Sequence, residues 1–226
     1  MNIVIIGLGG IGSILCERIA RYIKYSGDPG AKILLVDGDS YEPKNYERQD
    51  FTRMGNKAEV KAADMKMQFS SLDVGSFPSF VNETNTGHII KEGSIVFMCV
   101  DNHPTRRLVS YYCKQLNDII LISGGNELTD GNVQIYVRKS GVDITPDLCS
   151  YHPEIETPDD KHPEEMTCEE LAISEPQLYF TNLTVATFMC QAFYNVVIKQ
   201  QCEKSEIYFD MLQMAARAQT RIVKSK

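Results

Sequence analysis

The chemistry-bearing residues in the first half of this chain fall into three groups. The first is a glycine loop, Gly7, Gly9 and Gly12 in "GLGGIGS", between the apolar run "NIVII" and the helical "ILCERIARYIKY". Glycine lets a backbone approach phosphates closely, and the start of the following helix offers free N–H groups and a partial positive charge. Asp37, at the end of the next apolar run, is placed to accept hydrogen bonds from ribose hydroxyls. These features serve an NAD-dependent oxidoreductase as well as an ATP-dependent enzyme. The second group tips the balance: "DGDSYEPKNYERQDFTRMGNKAEV" sets Arg48, Arg53 and Lys57 after the ribose acid, with Asn45 and Gln49 beside them. A dinucleotide's two phosphates are served by the glycine loop alone. A triphosphate carries about four negative charges and calls for lysine, arginine and Mg2+. The third group is "CVDN", which puts Asp101 at the carboxyl edge of a strand, where α/β sheets bind ligands and an acid can hold Mg2+ between phosphates.

The elements that must position these groups alternate. "NIVIIG", "AKILLVD", "SIVFMCV" and "DIILISG" read as buried strands, and "IGSILCERIARYIKY", "NKAEVKAADMKMQF" and "PTRRLVSYYCKQLN" as helices. That order predicts an α/β fold: a Rossmann-like, mostly parallel sheet with helices on both faces. From Gly131 the character changes. "GNVQIYVRKSG" alternates like an antiparallel strand, a long polar surface loop runs over about 144–175, a long apolar helix "QLYFTNLTVATFMCQAFYNVVIK" follows, and "EIYFDMLQMAARAQTRIV" suits a closing pair of strands. With 226 residues, 43% of them hydrophobic, the chain is expected to fold as one domain over 1–226. A net charge of −7 argues against a nucleic-acid surface, and no apolar stretch reaches the roughly 20 residues that span a bilayer. The first apolar run is too short for a signal peptide, and seven scattered cysteines suit a reducing, cytoplasmic setting.

With these residues in view, the chain resembles the ThiF/MoeB/ubiquitin-activating-enzyme superfamily. The matching set, which the resemblance implies forms the nucleotide site, is Gly7, Gly9, Gly10, Gly12 and Ser13; then Asp37, Asp39, Asn45, Arg48 and Gln49; then Lys57; then Asp101, Asn102 and Arg106. "ISGGNELTDGNVQIYVR" is similar to the family's crossing strand, and the C-terminal "EIYFDMLQMAARAQTRIV" to its closing hairpin. The resemblance implies ATP- and Mg2+-dependent adenylation of the C-terminal carboxylate of a small ubiquitin-like or sulfur-carrier protein, giving an acyl-adenylate and pyrophosphate. It implies that Asp37 holds the ribose, Arg48 and Lys57 grip the triphosphate, Asp101 binds Mg2+, and Asn45 and Gln49 orient the phosphates. It also implies a homodimer, which the apolar helix of residues 177–199 suits. The family's arginine from a helix ahead of the first strand is expected to be missing or replaced. A small peptide or a tRNA-linked carboxylate is the alternative substrate, the tRNA being least suited to an acidic protein.

Five cysteines, Cys16, Cys99, Cys113, Cys190 and Cys202, fall on expected helices or strands and read as small packing residues. Cys149 and Cys168 lie in the long loop. A one-loop zinc site from Cys149, His152, His162 and Cys168 is chemically permissible but not favoured, because its spacing matches no familiar pattern. In the family a cysteine near the place of Cys168 takes over the activated acyl group, so Cys168 is the expected transferring thiol, although Glu164, Glu165, Glu169 and Glu170 around it raise a thiol's pKa.

Overall fold

The computed structural model describes residues 1–26, 28, 30–47, 49, 51–166 and 178–223. The apolar runs form strands because each is rich in β-branched residues and is covered on both faces. In chain order the elements are β1 (Asn2–Ile6), α1 (Gly10–Ser26), β2 (Lys32–Val36), the short β3 (Ser40–Tyr41) and β4 (Gly55–Asn56), α2 (Lys57–Gln68), β5 (Asp73–Phe77), α3 (Thr86–Ile89), β6 (Ser94–Met98) and α4 (His103–Cys113). Then come β7 (Ile119–Asn126), β8 (Asp130–Lys139), β9 (Val142–Asp143), α5 (Pro153–Glu156), α6 (Tyr179–Phe193, running on as a π turn over Tyr194–Ile198), β10 (Glu206–Asp210) and β11 (Ala215–Gln219).

Among the described residues nine strands make one sheet, in the order β11-β10-β8-β7-β6-β1-β2-β5, with β9 beside β8. Strands β5, β2, β1, β6 and β7 are parallel, and β8, β10 and β11 continue the sheet antiparallel. This is the mixed, mostly parallel α/β sheet the alternation predicts. One apolar layer packs α1, α2 and α6 on one face, around Leu15, Ile19, Phe97, Val185 and Phe193. The other gathers Val109, Tyr136, Leu148 and Ile155 on the face covered by α4 and α5.

Two stretches differ from expectation. Strand β5, "DVGSF", alternates weakly and carries Asp73, Gly75 and Ser76, yet it pairs with β2 as the parallel edge. The polar stretch from Ile144 is anchored rather than loose: Thr145 Oγ1 accepts from Val137 N at 2.8 Å and donates to Ile135 O at 2.7 Å, while Leu148 and Ile155 enter the core. Single anchors of this kind have no period for a sequence pattern to display.

The chain leaves β1 for α1 and β2 on one side, and returns to β6 on the other. The crevice where the strand order reverses therefore opens beyond the carboxyl ends of β1 and β6.

Candidate functional site

Gly7 follows β1 with φ of 86°, a left-handed backbone that favours glycine, and a Cβ there would lie 2.9 Å from the Cys99 carbonyl group beyond β6. A Cβ on Gly12 would meet Gly7 O at 1.8 Å, so glycine lets α1 start directly against the loop. The freed loop borders a cavity of about 1380 Å³ at the switch point. Gly7, Gly9 and Gly10 line it; Gly12 and Ser13 are buried behind it, with Ser13 Oγ turned to Gly10 O at 3.5 Å.

Asp37 is tied to this loop, its Oδ2 accepting from Leu8 N at 2.6 Å and its Oδ1 from Asp39 N at 2.9 Å. Burial pushes its carboxyl pKa up against the opposing pull of Lys57. A carboxylate has about four acceptor positions, so two backbone donors leave it room for hydroxyl donors. The Asp37–Asp39 corner is latched to the start of α2 by Asn56, whose Nδ2 donates to Asp37 O and Asp39 O while its Oδ1 caps the helix at Ala58 N. Asn56 thereby sets Lys57 at the cavity wall. Lys57 is 6% exposed and its Nζ pairs with the exposed Asp39 at 2.5 Å. Asn45 and Gln49 are buried at the same wall, Asn45 Oδ1 accepting from Glu42 N at 2.9 Å. Gln49 Oε1 is buried with no hydrogen-bond partner among the described residues, and its Nε2 lies over Gly9.

Asp101 stands across the crevice, exposed to the cavity, with no hydrogen bond or ion pair to its carboxylate among the described residues. Asn102 caps α4, its Oδ1 accepting from Thr105 N at 3.0 Å. Arg106 lies beneath: its Nη1 donates to Ser123 Oγ at 3.0 Å, and its Nη2 to Val100 O at 2.7 Å and Gly124 O at 2.9 Å. Burial pulls the guanidinium's pKa below its ordinary value, opposed by nearby Asp101. Arg106 thus holds together the ends of β6 and β7 while touching the cavity. Arg48 and Cys168 lie outside the described residues.

The cavity extends well past these groups, over the antiparallel strands. Asn132, Gln134, Tyr208, Asp210 and Arg217 border it, as do Glu154 and Asp160 from the segment after β9. Asp160 Oδ2 accepts from His103 N at 2.8 Å, at the start of α4. Sequence reasoning missed this half; the visible signal was the alternation of Asn132 and Gln134 with Val133 and Ile135.

Of the loop residues weighed for zinc, Cys168 lies outside the described residues and the other three are used otherwise. Burial, then Asp147, push the Cys149 thiol up to about 12. His152 pairs through Nδ1 with Glu154 at 2.8 Å and through Nε2 with Glu206 at 3.0 Å. His162 Nε2 meets Val81 O at 2.8 Å. Among the described residues no group of three or more His, Cys, Asp or Glu side chains is arranged to hold a metal ion. No described helix is long and apolar enough to cross a membrane.

A family profile described as the ThiF family matches residues 1–225. The chain is similar to the adenylyltransferase and sulfurtransferase MOCS3 of Drosophila ananassae, 29% identical over 144 residues that make up 62% of this chain and 30% of that protein. It is also similar to ubiquitin-like modifier-activating enzyme 5 of Xenopus laevis, 27% identical over 151 residues, 59% of this chain and 36% of that one. The chain therefore matches only about a third of the length of these curated relatives. Among solved structures, E. coli MccB with ATP superposes with a TM-score of 0.73 at 20% identity, covering 97% of this chain and 63% of MccB.

Proposed function

The chain belongs to the ThiF family, and on that premise we propose that it is an ATP- and Mg2+-dependent adenylyltransferase for the C-terminal carboxylate of a ubiquitin-like or sulfur-carrier protein. The names of its relatives, an adenylyltransferase and a ubiquitin-like modifier-activating enzyme, support this reading over the nicotinamide dinucleotide alternative. The observation that carries it is that one cavity is lined by the glycine loop, by the nearly buried Lys57 and by Asp101, whose carboxylate has no partner among the described residues.

The backbone of Gly7, Gly9 and Gly10 faces the phosphates, and Asp37 accepts from the ribose hydroxyls. Lys57 exchanges its exposed partner Asp39 for phosphate oxygens, joined by Arg48. Gln49, with one buried acceptor unsatisfied, and Asn45 orient the chain of phosphates over Gly9. Asp101 would hold Mg2+, offering the hard oxygen donor that this ion favours, and the ion would neutralise developing phosphate charge. The substrate carboxylate attacks the α-phosphorus in line, its oxygen forming the new P–O bond as pyrophosphate leaves. That carboxylate is already the nucleophile, so positioning and charge supply the rate and no general base is required. If the acyl group moves on, Cys168 sulfur attacks the acyl carbon, AMP leaves, and the thiol proton passes to solvent. The protein works as a homodimer in the cytoplasm.

Carrier-dependent ATP–pyrophosphate exchange tests the reading, using a panel of small ubiquitin-like and sulfur-carrier proteins. Asp101→Ala and Lys57→Ala should each lower exchange by about 100-fold or more, as loss of a preorganised charge does elsewhere. Unchanged exchange in both variants would remove the site assignment. A bond between carrier and Cys168, sought on a non-reducing gel, tests the transfer step.

A further inference from the structure

We propose that Asn182, on α6, is a positioning residue for the nucleotide: its side chain backs the glycine loop and fixes where the first N–H groups of α1 meet the phosphates. This inference rests on the nucleotide-binding part of the adenylation reading above.

The contact is close and joins segments far apart in the chain. A Cβ on Gly10 would lie 2.1 Å from Asn182 Nδ2, 2.6 Å from its Cγ and 3.1 Å from its Oδ1, so the amide fills the space that a side chain at position 10 would need. Gly10 is the first residue of α1, and Ser13 N donates to Gly9 O at 3.1 Å as the helix begins. Gly9 and Gly10 line the cavity, while the fully buried Asn182 stands behind them. The N–H groups that open a helix have no partner inside it, and they are what this loop offers an anion. Asparagine forms helix less readily than alanine or leucine, and in the opening turns of the largely apolar α6 its amide is set against this loop.

The turn that carries Asn182 is itself held. Thr181, also fully buried, donates through Oγ1 to Leu128 O at 2.7 Å in the turn between β7 and β8. Val185 and Met189, further along α6, press so closely on β7 that a Cβ on Gly124 would lie 2.7 Å from Val185 Cγ1 and 2.4 Å from Met189 Sδ. With α6 seated on β7, the partner free to shift when the amide is removed is the glycine loop. Structure around a void relaxes part of the way into it, and here that motion draws the opening N–H groups of α1 back from the phosphates. The ribose contacts of Asp37 belong to a different segment, after β2. Loss of Asn182 should therefore be felt by the phosphates and hardly at all by the nucleoside.

Equilibrium dialysis of the full chain with radiolabelled Mg–ATP and radiolabelled adenosine tests this. Asn182→Ala should bind Mg–ATP about tenfold more weakly and adenosine within about twofold of the unaltered protein, since small misplacements of positioned groups have large effects. A purely structural role would lower the melting temperature and weaken both ligands alike. Gly10→Ala, whose methyl is driven against Asn182, should also bind Mg–ATP at least about tenfold more weakly. Combining it with Asn182→Ala gives that methyl room, so the pair should bind at least about fivefold tighter than Gly10→Ala alone, the coupling expected of residues in contact. This exchange of volume carries the test should Asn182→Ala by itself prove too unstable to titrate. Unchanged Mg–ATP affinity in Asn182→Ala, equal weakening of both ligands, or no recovery in the pair would overturn the proposal. Carrier-dependent pyrophosphate exchange by the unaltered protein judges the adenylation reading separately. A phosphate-selective loss without exchange sinks only the adenylation, and exchange without a phosphate-selective loss sinks only the role of Asn182. No binding of Mg–ATP by the unaltered protein sinks both.

Discussion

Glycines that look equivalent in "GLGGIGS" have different duties once their neighbours are known. A Cβ on Gly12 would lie 1.8 Å from Gly7 O, and backbone cannot yield as a side chain can. Gly12→Ala should therefore destabilise the fold by about 3 kcal/mol or more in urea titration. At Gly9 the nearest atom to an added Cβ is Gln49 Nε2 at 3.9 Å, an ordinary contact that opens on the cavity. Gly9→Ala should leave stability within about 0.5 kcal/mol yet weaken ATP binding about tenfold by calorimetry, because the methyl stands where phosphate approaches. Equal effects of the two substitutions would refute this division. Arg106 is a similar case. The resemblance placed it with the nucleotide, whereas its hydrogen bonds to Ser123, Val100 and Gly124 give it a clamping duty as well. Arg106→Leu should cost about 2–4 kcal/mol, and Arg106→Lys should recover little, since an ammonium cannot reproduce the planar fork. Residue types and spacing made the site's members legible. Several of the atoms they touch were not, because they come from far along the chain: Gly7 packs against Cys99, and Arg106 reaches Ser123 and Gly124.

Among elements, the closing hairpin depends on a contact that no local pattern announces. His152, just ahead of α5, bridges Glu154 and Glu206; Arg221 Nε reaches Glu206 at 2.7 Å, and Tyr208 OH donates to it at 3.0 Å. Arg221 also stacks over the Tyr151 ring at 4.9 Å. Burial works to lower the His152 pKa, but hydrogen bonds with Glu206 and Glu154 outweigh it and leave the pKa raised. Burial likewise opposes, and the His152 and Arg221 hydrogen bonds override, in Glu206, whose pKa ends lowered. A raised histidine pKa stabilises fully below its ordinary value near 6.5 and loses that contribution as pH climbs through the folded value. The lowered glutamate contributes above its ordinary value near 4.5 and loses that as pH falls. The tether between hairpin and loop is thus strongest between about pH 4.5 and 6.5. Thermal melts of His152→Gln should show a loss of stability at about pH 6 that narrows by about pH 8.5; a constant difference across that range would contradict the assignment. The stretch bearing His152 read as surface loop because Thr145, Leu148 and Ile155 dock singly. Strand β5 escaped for the opposite reason: an edge strand buries little, so Asp73 and Ser76 are tolerated there.

On the scale of the whole molecule, apolar runs were enough to predict four of the five parallel strands, because burial on both faces leaves an uninterrupted apolar record. The antiparallel half was harder to read, since its strands bury one face and present the other to a cavity: β8 alternates Asn132, Val133, Gln134 and Ile135. The result is one platform with a switch-point crevice at its centre and a polar shelf beside it. If the crevice holds Mg–ATP, binding must be linked to the stability of the entire sheet, because Asp37, Lys57 and Asp101 belong to segments following β2, β4 and β6. Mg–ATP at about 100 times its Kd should add about 2.7 kcal/mol, a rise in Tm of roughly 5–10 °C for a chain of this length. Chelating the metal with EDTA should remove most of that rise, since the triphosphate would then face Asp101 unneutralised. In Asp101→Asn the repulsion is gone along with the metal's anchor, so the rise should be small and the same with or without Mg2+. A wild-type Tm shift indifferent to EDTA would show that the acid at the end of β6 holds no metal for the nucleotide.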